Sequence, residues 1–243
     1  MFRCSKIRFF DLERELHQKE LLPQFYLKTL LFFESVGLAM LKDTRWVIVD
    51  TETDGLYDPI RILEIAAQRM RGWKPEGEPF QVYLNHQISI PYEATAIHGL
   101  TKEFLDKEGI HPHKAHEAFK VYLNDLPIVA HNLNYDWNRC LLPEWQRLCV
   151  PVSGRPGFCT MLLARRLLPE TRKVNLETLC RYFGIDAGRA HSASSDVQTV
   201  VSLFNQVFRV RLESAQITDF DDIVRFSKKS PIKKCHTMLG GGC

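Results

Sequence analysis

The chain has 243 residues, 45% of them hydrophobic and 25% charged, with 32 basic against 29 acidic side chains and a net charge of +3. That is the make-up of an ordinary globular protein long enough to build a sizeable core, as one domain with extensions or as two small ones. The mild basicity permits nucleic-acid binding without demanding it. Seven cysteines, an odd number with no C-x-x-C pair, argue for a reducing, cytoplasmic location and against a disulfide scaffold or a zinc site. No stretch reads as a signal peptide, and the apolar run from Leu27 to Leu41 is too short and too interrupted (Lys28, Glu34, Gly37) to span a bilayer, so no membrane partner is expected.

Residues 1–44 read as a helical N-terminal extension, with Pro23 breaking one helix and Phe25, Tyr26, Leu30 and Phe33 recurring at helical spacing in the next. The main domain spans 45–213. It opens on Trp46-Val47-Ile48-Val49, a buried-strand pattern that ends in Asp50 and is turned by Thr53-Asp54-Gly55. Arg61–Met70 and Phe80–Leu84 read as a second and third strand, so an antiparallel meander starts the sheet. A loop-rich stretch follows, then a helix over Ala115–Leu126, a buried strand Pro127–Ala130 and a helix from about Tyr135. Cys159–Leu168 and Leu176–Phe183 read as helices, the second stopped by Gly184. A last helix from about Ser194 carries Val197, Val200, Val201, Phe204, Val207 and Phe208 as one apolar stripe. Strands followed by alternating strands and helices predict an α/β fold with a mixed sheet covered by helices. Residues 214–243 read as a C-terminal tail with little fixed structure.

Three segments place acids where strands end or helices begin. Asp50 and Glu52 are two apart in an extended strand and share a face. Carboxylates held together repel unless one is protonated or a cation lies between them, and hard oxygen donors favour Mg²⁺ or Mn²⁺. Asp136 follows the strand Pro127–Ala130, near the carboxyl edge where open α/β sheets place ligands. Asp196 begins the striped helix, and His191 precedes it. Converged, this set suits phosphodiester hydrolysis by two divalent cations about 3.5–4 Å apart, with the histidine taking a proton from the attacking water. Singly, each acid reads as a turn or helix cap; the order and spacing of all three segments carry the functional reading. His111, His113 and His116 read as a solvated cluster rather than a metal site. Arg165-Arg166 and Arg172-Lys173 read as a charged face, and Tyr135 and Trp137 as core aromatics with a polar handle.

Asp50 to Gly55, His131 to Asp136 (with Tyr135 where phenylalanine is common) and His191 to Asp196 resemble the three motifs of the DEDDh-type, DnaQ-like 3′–5′ exonuclease family. Ile97-His98-Gly99-Leu100-Thr101 is similar to a family segment beside the 3′ nucleotide, and the likeness runs from about Arg45 to Arg211. It implies an RNase H-like fold with a mixed five-stranded sheet, an exonuclease domain over 45–213, and release of nucleoside 5′-monophosphates from a 3′ end, DNA favoured over RNA. It further implies Asp50, Glu52, Asp136 and Asp196 as ligands of two divalent cations, Mg²⁺ with Mn²⁺ substituting, and His191 as general base. Thr53, Gly55, His98 and Asn132 would face the substrate. An RNA 3′-end trimmer and a non-catalytic nucleic-acid-binding subunit are the competing readings. Gln216-Ile217-Thr218-Asp219-Phe220 resembles the short peptides by which replication proteins bind the sliding clamp, with Asp219 where an apolar residue is usual, so a polymerase or clamp partner is expected through the tail.

Overall fold

A computed structural model describes residues 44–188 and 191–238; all but the last residue of the helical extension expected over 1–44, and the terminal glycines, lie outside the described residues. Strand β1 (Arg45–Thr53) pairs antiparallel with β2 (Ile62–Arg71) and parallel with β5 (Pro127–Ala130), which pairs parallel with β6 (Arg155–Cys159). The far edge of β2 is shared by β3 (Lys74–Pro75) and β4 (Phe80–Tyr83), both antiparallel. The expected mixed sheet flanked by helices is present; its sixth strand is the two-residue β3.

Alternation along β1 sends its side chains to two different cores. Trp46 and Ile48 pack with Phe158, Leu163, Leu179, Val200 and Phe204 on one face; Val47 and Val49 pack with Phe119, Ile128, Leu141 and Trp145 on the other. The first face is covered by α6 (Thr160–Leu167), α7 (Leu176–Phe183) and α8 (Ala193–Leu203), which runs on through a π-helical segment α9 (Phe204–Phe208) into α10 (Arg209–Ser214). The second is covered by α3 (Pro112–Leu123), the π-helical α4 (Asn134–Leu141) and α5 (Leu142–Arg147). The six-residue apolar stripe from Val197 to Phe208 is buried throughout.

Three expectations about the secondary structure are corrected. The loop-rich stretch before α3 contains two one- to two-turn helices, α1 (Tyr92–His98) and α2 (Lys102–Glu108), the second capped by the Thr101 hydroxyl accepting from Phe104 N at 3.1 Å; both are too short for a periodic signal. Cys159 ends a strand rather than beginning a helix. That strand looks like a loop in sequence because it holds Pro156 and Gly157, yet the glycine is needed there: a Cβ on Gly157 would lie 2.9 Å from Ile128 O and 3.1 Å from the Phe220 ring.

The third correction concerns residues beyond 213, which are not structureless. Helices α11 (Phe220–Lys229) and α12 (Ile232–Met238) form there, α11 capped by Asp219. Phe220, Ile223 and Phe226 are spaced three apart on one face of α11 and join the first core, Phe220 lying 5.5 Å from the Phe158 ring and 6.2 Å from Trp46. Burial of this stripe outweighs the flanking charges. It also places the aromatic that a clamp-binding peptide would offer inside the fold, at 6% exposure.

A second buried feature ties the sheet to α3 and α5. Glu144, fully buried, receives hydrogen bonds from His116 Nε2 at 3.0 Å, Ile62 N at 2.9 Å and Arg147 Nη2 at 2.9 Å, and pairs with His86 Nε2 at 3.2 Å. Trp145 Nε1 donates to the other nitrogen of His116 at 2.9 Å. His116 is therefore a core residue and not part of a solvated cluster; His111 and His113 are exposed. Burial pushes the Glu144 carboxyl up, but the hydrogen bonds from His116 and His86 outweigh it and hold the group at about 2.

Candidate active site

The even-numbered residues of β1 continue from core to chemistry: after Trp46 and Ile48 come Asp50 and Glu52, on the face covered by α8. Asp196 lies in the first turn of α8, where the helix dipole favours a carboxylate. Oxygens of Asp50, Glu52 and Asp196 all lie within 4.8 Å of one another. The odd-numbered Thr51 faces the other way and donates its hydroxyl to Asp136 Oδ1 at 2.8 Å, fixing the fourth acid, itself 4% exposed, beside the same strand end. Asp136 is carried by π-helical α4, a geometry found often at functional sites.

The electrostatics are those of acids crowded together. Burial, then Asp136, Asp196, Glu52 and Glu64, drive the Asp50 carboxyl well above the usual range. Burial followed by Asp196, Glu64 and Asp136 raises Glu52 to about 8. Burial raises Asp136 to about 7 against the Thr51 hydrogen bond, and Asp196 to about 6 against the pull of His191. No lysine or arginine among the described residues counters them. An all-carboxylate donor set in want of positive charge fits a hard divalent cation, and Asp50, Glu52 and Asp196 could hold one.

His191 is exposed, one turn before Asp196, in the left-handed region at φ 58°. His98 is buried at the end of α1; its Nδ1 accepts from Leu100 N at 3.0 Å and its Nε2 reaches Thr53 O at 3.2 Å. With Nδ1 accepting, the proton sits on Nε2, so both ring nitrogens are engaged inside the protein and the ring holds Thr53. The Thr53 hydroxyl is also turned inward, 2.7 Å from the Tyr135 hydroxyl and 3.1 Å from Gly55 O. Gly55 sits at φ 143°, where L side chains are strained. Asn132 is exposed beyond β5 and its carbonyl receives Tyr135 N at 2.7 Å.

Sequence reasoning missed Glu64. It stands directly across the β1–β2 ladder from Glu52, is 1% exposed, and accepts from Gln81 Nε2 at 2.7 Å and from Ala193 N, the first residue of α8, at 3.3 Å. It thus holds the helix that presents Asp196. A buried acid among the apolar residues of β2 was the available signal.

A carboxylate-lined centre at the end of the central strand of such a mixed sheet is that of a nuclease, a hydrolase of nucleic acid. The chain belongs to the RNase_T exonuclease family, whose pattern residues 47–204 match. It is 29% identical over 189 residues to DNA polymerase III subunit epsilon of Rickettsia felis, covering 74% of this chain and 80% of that one. It is 28% identical over 173 residues to the same subunit of Escherichia coli K12, covering 66% and 70%. The fold is similar to that of E. coli exonuclease I, solved with a dT13 oligonucleotide (TM-score 0.62, 20% identity, 71% of this chain and 42% of that one). It is also similar to exonuclease X, solved with 5′-overhanging duplex DNA (TM-score 0.53, 22% identity, 75% and 99%).

Proposed function

We propose that the chain removes nucleotides from the 3′ end of DNA and releases nucleoside 5′-monophosphates. The observation that carries this reading is the meeting of Asp50, Glu52 and Asp196 within 4.8 Å, with Asp136 anchored alongside by Thr51. Asp50, Glu52 and Asp196 would hold one divalent cation, and Asp50 with Asp136 a second, Mg²⁺ or Mn²⁺. When bound, such a pair activates water and neutralises charge on the leaving oxygen. The chain's own part is to orient the phosphodiester, to keep four acids in place, and to take a proton from the attacking water at the imidazole of His191. The Thr53–Gly55 turn and Asn132 would face the terminal nucleotide, with His98 supporting the turn from behind.

The epsilon relatives are by name subunits of a DNA polymerase, which favours DNA over RNA and a polymerase partner for this chain too. With Phe220 in the core, that partner would dock elsewhere than on an extended Gln216–Phe220 peptide. Five cysteines among the described residues are free. Among the described residues no helix is long and apolar enough to cross a membrane.

The test is a 5′-labelled, 3′-tailed single-stranded DNA incubated with Mg²⁺ or Mn²⁺, with EDTA, and in parallel as RNA. A ladder shortening from the 3′ end, erased by EDTA and faster on DNA, is the expected result. A faster ladder on RNA would reassign the substrate, and no ladder on either polymer would sink the catalytic reading. His191→Gln is expected to lower kcat by about 10²-fold, within the range of general-base effects, with the melting temperature close to wild type. A kcat equal to wild type would remove His191 from that role.

A further inference from the structure

Tyr135 stands where the family resemblance leads one to expect phenylalanine, and its extra atom is fully used. The hydroxyl donates to Gly55 O at 3.0 Å and meets Thr53 Oγ1 at 2.7 Å. Four residues along α4, Arg139 Nη2 donates to the next carbonyl, Leu56 O, at 2.8 Å. Two successive carbonyls of the turn after β1 are therefore pinned by one helix, the helix that also carries Asp136. The Thr53 hydroxyl and His98 also hold the turn, but Gly55 itself supplies no stiffness, at φ 143° with open space where a Cβ would be. At its base the loop is closed separately, by Asp54 N to Arg61 O at 3.0 Å and Arg61 N to Asp54 Oδ1 at 2.8 Å. The pinned carbonyls of Gly55 and Leu56 thus lie just inside the loop that this neck closes, three and four residues past Glu52.

We infer that the Tyr135 hydroxyl is a positioning residue for the terminal nucleotide: it fastens the Thr53–Gly55 turn to α4, so that the turn and Asp136 meet the substrate as one preset surface. This deepens, and rests on, the reading of that turn as nucleotide-facing. A preset turn lowers the ordering cost of binding. Its loss therefore weakens ground-state and transition-state binding alike, which raises KM and leaves kcat nearly alone.

The experiment is steady-state cleavage of the labelled DNA by wild type, Tyr135→Phe, Arg139→Ala and the double variant, with melting temperatures alongside. Tyr135→Phe is expected to raise KM about five- to tenfold, the size of one net hydrogen bond, with kcat within about twofold and a melting temperature lowered by about 2–4 °C at most. Arg139→Ala moves KM the same way, and the double variant moves it further. A Tyr135→Phe KM equal to wild type, or a loss confined to kcat, overturns the inference. A wild type that cleaves nothing would sink the exonuclease reading and this inference together; an active wild type beside an unmoved Tyr135→Phe KM sinks the inference alone.

Discussion

Replacing Asp50 with asparagine is expected to lower cleavage on the order of 10³-fold or more, and at the same time to raise the melting temperature of the metal-free protein. The first effect follows from removing the acid nearest the middle of the cluster, the one that Asp136, Asp196, Glu52 and Glu64 all press upon; loss of one group of a preorganised charged site is worth about 10²–10³ in rate, and Asp50 is assigned to both cations. The second effect follows from the direction of the shifts. Glu52 at about 8, Asp136 at about 7 and Asp196 at about 6 are raised above their unfolded values. In the window from about 4 to about 8 the native state therefore binds more protons than the unfolded one, so metal-free stability falls as pH rises through it. Removing one carboxylate relieves that repulsion. A divalent cation relieves it too, by binding the folded state alone. Melting curves at pH 6 and pH 8, with and without Mn²⁺, check this. The wild type should gain more from the cation at pH 8, and Asp50→Asn should gain little at either pH. A variant that melts below the metal-free wild type at pH 8 would show that Asp50 stabilises the fold, against the account given of the cluster.

Replacing Glu144 with alanine is expected to cost about 3–5 kcal/mol, the range for removing one partner of a buried charged network. The substitution leaves His116, buried at 0% exposure, without its carboxylate and strips the bonds to Ile62 N and Arg147. At a few degrees per kcal/mol for a chain of this size, the melting temperature should fall by about 10 °C. Glu144→Gln keeps one acceptor oxygen and should lose less. The carboxyl is held at about 2 in the fold against an ordinary value of 4.5. Its stabilisation is therefore complete above the unfolded value and lost as pH falls from there through about 2, so wild type and variant should converge in stability at strongly acid pH. Equal melting temperatures at neutral pH would show the network to be dispensable.

The clustered acids were legible because each sits in a short local segment whose neighbours announce a strand end or a helix start. Asp50 and Glu52 share a strand; Asp136 and Asp196 each open a helix. Glu64 and Glu144 were not legible, because what defines them is distant: Glu64 owes its place to the ladder opposite Glu52 and to Ala193, 129 positions away, and Glu144 to His116, 28 positions away. The long stripe of α8 to α10 could be read through its turns, whereas the three-residue stripe of α11 was masked by aspartates and lysines. His98 and Thr53 show a subtler limit. Their segment was recognised, but which way each polar atom turns is set by the approach of α1 and α4 to the turn.

Strand β1 behaves as two interleaved texts written on one ribbon. The even text runs core, core, acid, acid; the odd text runs core, core, then the hydroxyls of Thr51 and Thr53 that fasten α4. Either text can be edited letter by letter without disturbing the other. A single inserted or deleted residue would garble both at once, because every side chain downstream would change face. Natural variation in this enzyme should therefore enter β1 as substitutions, while changes of length are pushed outward into the loop that Asp54 and Arg61 close.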